Sequence, residues 1–188
     1  MKDLINRSIQ SHSEALNLID EKKIHYASDL IKKSFSENNT IFWCGNGGSA
    51  SQANHLSAEL IGGMYKDKKA PFKSVCLNVD TAFITAWSND DSFDNIFSRQ
   101  LESLAHSGDI LIALSTSGNS KNIINAAKYC NENDIKIISL TGFDGGLLKG
   151  HSDININIPI NNTQRVQEMH ILVGHIISKY IEENINSL

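Results

Sequence analysis

Proline and cysteine are scarce in this chain, and a membrane-length apolar run and a surplus of positive charge are missing altogether. Only Pro71 and Pro159 occur in 188 residues, both where a loop or strand edge is expected, and no low-complexity tract or internal repeat accompanies them. The three cysteines, Cys44, Cys76 and Cys130, are odd in number and form no CxxC pair. That excludes a disulfide framework and reads as reduced, packed thiols of a cytoplasmic protein. The first residues mix charged and apolar side chains too evenly for a signal peptide, and nothing calls for a membrane. A formal net charge of −4 leaves no sequence-wide basic field for a polyanion, so nucleic acid is not the expected partner. Two nucleotide signatures are absent as well: there is no GxxxxGK[ST], and the one glycine-rich loop after a strand lacks the third glycine of GxGxxG.

What is present is alternation. Two helical patterns occupy residues 2 to about 37 and split near Asp20 and Glu21, with Leu4, Ile5, Ile9, Leu16, Leu18, Ile31 and Phe35 among their apolar positions. Five short apolar runs follow, TIFWC, KSVCLNV, DILIALS, IKIISLT and DININIP, separated by helix-compatible stretches such as NIINAAKYCNEN. A last amphipathic helix is expected from Thr163 to about Ile185. With 40% hydrophobic residues the chain can bury a sizeable core. The expected fold is α/β: a doubly wound, five-stranded, mainly parallel, flavodoxin-like sheet flanked by helices. The expected organisation is one domain over 1–188, made of an N-terminal helical extension, 1–37, and an α/β core, 38–188, that ends in the long helix.

Ligands of such sheets bind beyond the carboxyl ends of the strands, where loops lead into helix N-termini. Two loops have that position. In CGNGGSASQANHLSAEL, which starts at Cys44, the missing side chains of Gly45, Gly47 and Gly48 allow close backbone approach, and free N–H groups can face an anion. In STSGNS, residues 115–120, four hydroxyls stand beside a helix N-terminus. Serine, asparagine and glycine also make ordinary turns and caps. Two such loops at one sheet edge favour a ligand, and without a lysine or arginine in either, a monophosphate suits them better than a triphosphate with magnesium. His55 and Glu59, at i and i+4, share a helix face and could be a plain surface pair. His175 lies in ILVGHII, where a satisfied buried imidazole is the ordinary explanation, and His170 has a core or capping reading.

Taken in order, CGNGGSASQANHLSAEL, AWSNDDSFDNIFSRQ, DILIALSTSGNSKNIINAA, ISLTGFDGG and TQRVQEMHILVGHII resemble the phosphoheptose isomerases of the sugar isomerase (SIS) family over nearly the whole chain. The STSGNS loop is shared by many sugar-phosphate-binding SIS domains, whereas HxxxE after GNGGS together with QExHxxxxH near the end marks this enzyme group. The resemblance implies an aldose–ketose isomerase that converts sedoheptulose 7-phosphate to D-glycero-D-manno-heptose 7-phosphate, the entry to nucleotide-activated heptose for bacterial surface sugars. It implies a homotetramer with one zinc ion per subunit. By matching motif, His55, Glu59, Gln167 and His175 would be metal ligands, with Glu59 and His175 also the acid–base pair. Asn46, Gly47, Ser49, Glu59, Asp90, Ser115, Thr116, Ser117, Ser120 and Gln167 would contact substrate. Gln164 stands where some family enzymes carry an aspartate, and Asn54 where glutamine is often found.

A competing class is a SIS-domain adaptor that binds the replication initiator protein. It shares the loops and lacks the groups matching Glu59 and His175, both kept here. Helix geometry adds one expectation. Gln167 and His175 are eight residues apart, ~12 Å along one helix and about 80° around it. A complete site is therefore expected to draw on more than one chain of an obligate oligomer, with the subunit that supplies each residue left open; one arrangement would take His55 and Glu59 from one subunit and His175 from its neighbour.

Overall fold

The computed structural model describes residues 1–64 and 71–184. Each of the five apolar runs contains one strand: β1 (Ile41–Gly45), β2 (Ser74–Cys76), β3 (Ile110–Ser115), β4 (Lys136–Gly142) and β5 (Ile154–Ile158). All four pairings are parallel, in the order β2-β1-β3-β4-β5. That is the flavodoxin-like order expected from the sequence. The helices are α1 (Lys2–Leu16), α2 (Glu21–Ser36), α3 (Gly48–Gly62), α4 (Thr81–Asp90), α5 (Ile96–Leu104), α6 (Lys121–Glu132) and α7 (Thr163–Asn184), with 3-10 turns at Phe93–Asn95 and Leu147–His151. Ile185, the expected end of the last helix, lies outside the described residues.

The strands read as unbroken apolar runs because both faces of the sheet are covered. Ile41 and Trp43 of β1, with Ile110, Ile112 and Leu114 of β3, pack against Ile31 of α2, Leu56 of α3 and Val173 and Ile177 of α7. Their alternates Phe42, Cys44, Leu111 and Ala113 face Phe97 and Leu101 of α5 and Ile123, Ala127 and Cys130 of α6. The second helix, whose N-cap Asp20 accepts a hydrogen bond from the Lys23 amide, is thus part of the core. By contrast α1 buries only Ala15, which packs with Val166 and Met169 of α7, leaves Leu4, Ile5 and Ile9 exposed, and makes further contacts to α7 through polar groups. Arg165 Nη1 donates to the Ser8 carbonyl at 2.7 Å, and His12 Nδ1 meets Glu168 Oε2 at 2.6 Å. Cys44, Cys76 and Cys130 are free and buried, and burial raises each thiol pKa, that of Cys130 to about 12. They are packing groups, not nucleophiles. Among the described residues no helix is long and apolar enough to cross a membrane.

Strand order reverses between β1 and β3, which are hydrogen-bonded neighbours in register from Ile41↔Ile110 to Gly45↔Leu114. The chain leaves β1 for α3 on one face and β3 for α6 on the other. A crevice opens at such a reversal, and both glycine- and serine-rich loops border it.

Candidate active site

The first loop turns at Gly47, whose φ of 56° and ψ of −121° suit glycine. Gly45 must also be glycine, because a Cβ there would stand 2.6 Å from the Ser49 carbonyl. From the β2 side, Asn78 grips the loop by its backbone: Gly45 N–H donates to Asn78 Oδ1 at 3.2 Å and Asn78 Nδ2 to the Gly45 carbonyl at 2.8 Å. Ser49 is buried in the first turn of α3, while Asn46 is half-buried and Gly47 exposed.

The second loop is braced by the GFDGG turn after β4. Gly118 has a φ of 64°, and a Cβ on it would fall 2.0 Å from the Gly145 carbonyl oxygen. Asn119 accepts from the Leu147 amide at 3.0 Å and donates to the Ser117 carbonyl at 2.9 Å. Ser120 is the N-cap of α6, yet its hydroxyl caps no helix N–H and lies 3.4 Å from the Ser115 hydroxyl. An N-cap serine normally spends that oxygen on the helix. Here it stays available to a ligand, beside the positive end of the α6 dipole. Thr116 is half-buried and Ser117 exposed, its Oγ accepting from the Asn119 amide at 3.1 Å.

Asp90 is the exposed last residue of α4, a helix that buries no side chain. The corner after it docks on the start of α6: Lys121 Nζ lies 3.8 Å from Asp94 Oδ2, and Asn125 Nδ2 donates to the Asp94 carbonyl at 3.0 Å. This brings the corner beyond Asp90 to the helix that the second loop caps.

Along α3, His55 lies two turns beyond Gly48. His55 Nε2 stands 2.9 Å from His175 Nε2 and 3.5 Å from Glu59 Oε1, and the donor atoms of all three residues lie within 4.8 Å of one another. Among the described residues this is the one group of three or more histidine, cysteine, aspartate or glutamate side chains close enough to hold an ion. His175 is half-buried, not sealed in the core as its apolar neighbours imply. His170 is the sealed one: burial lowers its pKa to about 4, and its Nε2 lies 3.1 Å from the Thr141 carbonyl, which only a protonated nitrogen can satisfy. It ties α7 to the end of β4.

Of the arrangements left open by the sequence, the one that takes His175 from a neighbouring subunit is not needed to bring these groups together, since His175 meets His55 and Glu59 within one chain. The reason is Gly174, where a Cβ would lie 2.3 Å from Leu56 Cδ1. Without that Cβ, α7 packs closely on α3, and the residues next to the contact, His55 and His175, are drawn together. Gln167 faces the other end of the same pair of helices. Its Nε2 lies 2.7 Å from where a Cβ on Gly48 would be, and its backbone carbonyl accepts from Gln52 Nε2 at 2.7 Å. One chain therefore groups three of the four expected ligands, with Gln167 at the glycine loop. Gly174→Ala should cost about 1–3 kcal/mol through overpacking against Leu56. Thermal denaturation reads the loss and zinc titration the parting of the two imidazoles; an unchanged melting temperature would mean that Leu56 simply turns aside.

The SIS domain profile matches residues 6–142. The phosphoheptose isomerase of Aliarcobacter butzleri is 41% identical over 99% of this chain and 100% of its own length. The chain belongs to the phosphoheptose isomerase family. Solved structures of family members agree in fold: that from Neisseria gonorrhoeae has a TM-score of 0.88 at 36% identity, covering 97% of this chain and 96% of its own. That from Francisella tularensis has a TM-score of 0.90 at 30% identity with the same coverage of 97% and 96%.

Sequence reasoning missed two residues that shape the family's loops here, Asn78 and Asn122. Asn122 exchanges two hydrogen bonds with Asn46, each 2.9 Å. Its one visible signal was an amide at a helix position flanked by core residues Ile123, Ala126 and Ala127.

Proposed function

We propose that this chain interconverts sedoheptulose 7-phosphate and D-glycero-D-manno-heptose 7-phosphate, an aldose–ketose isomerisation in nucleotide-activated heptose synthesis, in the cytoplasm. The observation that carries the reading is that one helix, α3, begins at the glycine loop and bears His55 and Glu59, where α7 delivers His175. Ser115, Thr116, Ser117 and Ser120, with the first amides of α6, hold the phosphate. Asn46, Gly47, Ser49, Asp90 and Gln167 contact the sugar.

Moving a carbonyl from C2 to C1 requires removal of a proton from C1, charge stabilisation on an enediolate, and return of a proton at C2. The Glu59 carboxylate takes and returns the carbon-bound proton, and the His175 imidazole moves protons at the oxygens. Two imidazole nitrogens and a carboxylate oxygen form a donor set suited to zinc. Ligands about 2.0–2.1 Å from one tetrahedral ion stand about 3.3 Å apart, and the 2.9 and 3.5 Å separations bracket that value. His55, Glu59 and His175 would hold the ion, with Gln167 proposed as the fourth ligand. Bound zinc would polarise the substrate carbonyl as a Lewis acid. A homotetramer is part of the reading, supported by the bare apolar stripe Leu4, Ile5 and Ile9 on α1. The adaptor alternative is not favoured, because both reactive groups are present and the curated relatives at about 41% identity are phosphoheptose isomerases.

Incubation with sedoheptulose 7-phosphate in deuterium oxide tests the reading. Aldose formation with deuterium entering at the exchanged carbon is the expected NMR result, and a wholly inert ketose would return the chain to the adaptor class. A second expectation concerns phosphate. Ser117→Ala and Ser120→Ala should each weaken sugar-phosphate binding by about 1.5–3 kcal/mol, the worth of a hydrogen bond to a charged group. Calorimetry that finds unchanged affinity in both variants would reduce STSGNS to turn chemistry.

A further inference from the structure

The start of α6 carries a buried amide that turn and capping chemistry do not require. Asn122 follows Lys121, is 2% exposed, and is flanked by apolar residues packed in the core. A buried carboxamide is costly unless its hydrogen bonds are made, and this one makes three. Asn122 Oδ1 accepts from the Ile123 amide at 3.0 Å and from Asn46 Nδ2 at 2.9 Å, while Asn122 Nδ2 donates to Asn46 Oδ1 at 2.9 Å. The Ile123 N–H removes the usual ambiguity of an amide pair. Were Asn122 turned over, its own NH₂ would confront that N–H, donor against donor. The orientation of Asn122 is therefore fixed from the helix, and through the reciprocal pair so is that of Asn46, across the crevice in the other loop. A carboxamide has two N–H donors and two acceptor lone pairs. The pair consumes one donor and one acceptor of Asn46, which is half-buried and keeps one N–H for a ligand.

We propose that Asn122 is a positioning residue: it locks the Asn46 carboxamide in the rotamer and orientation that present its remaining N–H to the substrate, and it couples the glycine loop to the phosphate loop. The proposal rests on the reading of Asn46 as a substrate contact. A merely structural Asn122 would stabilise α6 and nothing more, and a double-mutant cycle separates the two.

The cycle uses the full chain, wild type, Asn46→Ala, Asn122→Ala and the double variant, with sedoheptulose 7-phosphate as substrate. Asn122→Ala should lower kcat/KM about tenfold or more, mainly through KM, the size expected for one hydrogen bond to substrate. In the Asn46→Ala background the same change should cost less than about twofold, since a group that acts through Asn46 has nothing left to position. Equal losses in both backgrounds would overturn the proposal. Asn122→Asp guards against a variant that fails to fold. It keeps shape and volume but sets a carboxylate oxygen against Asn46 Oδ1, so it should lose at least as much kcat/KM as Asn122→Ala; wild-type kinetics in Asn122→Asp would likewise overturn it. A wild-type chain that does not turn over sedoheptulose 7-phosphate overturns the functional reading instead, and the same cycle is then read from calorimetric binding of that sugar phosphate.

Discussion

Glu59→Gln is expected to give a folded protein that binds sugar phosphate and turns it over ~10²–10⁴-fold more slowly, the usual cost of removing a general base. Folding should survive because Glu59 lies on the half-buried side of α3, its side chain 22% exposed and its oxygen facing His55, while the core of that helix is built by Ala53, Leu56 and Leu60. Glutamine keeps the length and one oxygen of glutamate, so it can still face the imidazole, but it cannot accept a proton at neutral pH. Binding should persist because the phosphate is assigned to STSGNS and the first turn of α6, elements to which Glu59 on α3 does not belong. The split is therefore kcat down and affinity roughly kept, read by steady-state rates beside calorimetry and circular dichroism. A Glu59→Gln protein with wild-type kcat would move the base elsewhere, and His175, 2.9 Å from His55, is the next group to test.

The sheet was legible from sequence because both of its faces are buried: a strand such as ILIALS at 110–115 has no polar alternate to confuse it with a helix surface. The loops were legible because glycine at 47 and 118 answers to a local backbone conformation with positive φ. Geometry between elements was harder. The role of Gly174 lies in its contact with Leu56, 118 positions earlier, which no local pattern connects to it. The meeting of His55, Glu59 and His175 within one chain was hidden for the same reason: helix rise relates Gln167 to His175, but says nothing of the second helix that meets each of them. Asn46 was found through its motif. Its partner Asn122 was missed because amide pairs have no sequence spacing, only a spatial one across 76 residues. His170 and His175 sit five apart on one helix in similar apolar surroundings, and only the packing of α7 decides that the first is sealed beneath β4 and the second opens toward α3.

Chelation should abolish turnover and leave the secondary structure intact, and added zinc should restore the rate. The donor set is assembled by helix packing, not by an ion: α3 and α7 are already joined through Leu56, Val173 and Ile177 in the core, and full burial of each such side chain contributes about 1.5–3 kcal/mol. This differs from small metal-folded domains, in which removal of the ion unfolds the chain. Without an ion one imidazole N–H can donate to the other ring across the 2.9 Å between His55 and His175, so the pair need not fly apart. The expected circular dichroism change on chelation is accordingly small, while the rate change is large. Since all three groups belong to one chain, mixing also has a defined result. Hybrid oligomers refolded from Glu59→Gln and His175→Asn chains should stay inactive, because no subunit then carries an intact set. Recovered activity in verified hybrids would show that one chain's Glu59 works with another chain's His175. Full turnover in protein shown by elemental analysis to be metal-free would remove the ion from the reaction and leave His55, Glu59 and His175 as an acid–base cluster alone.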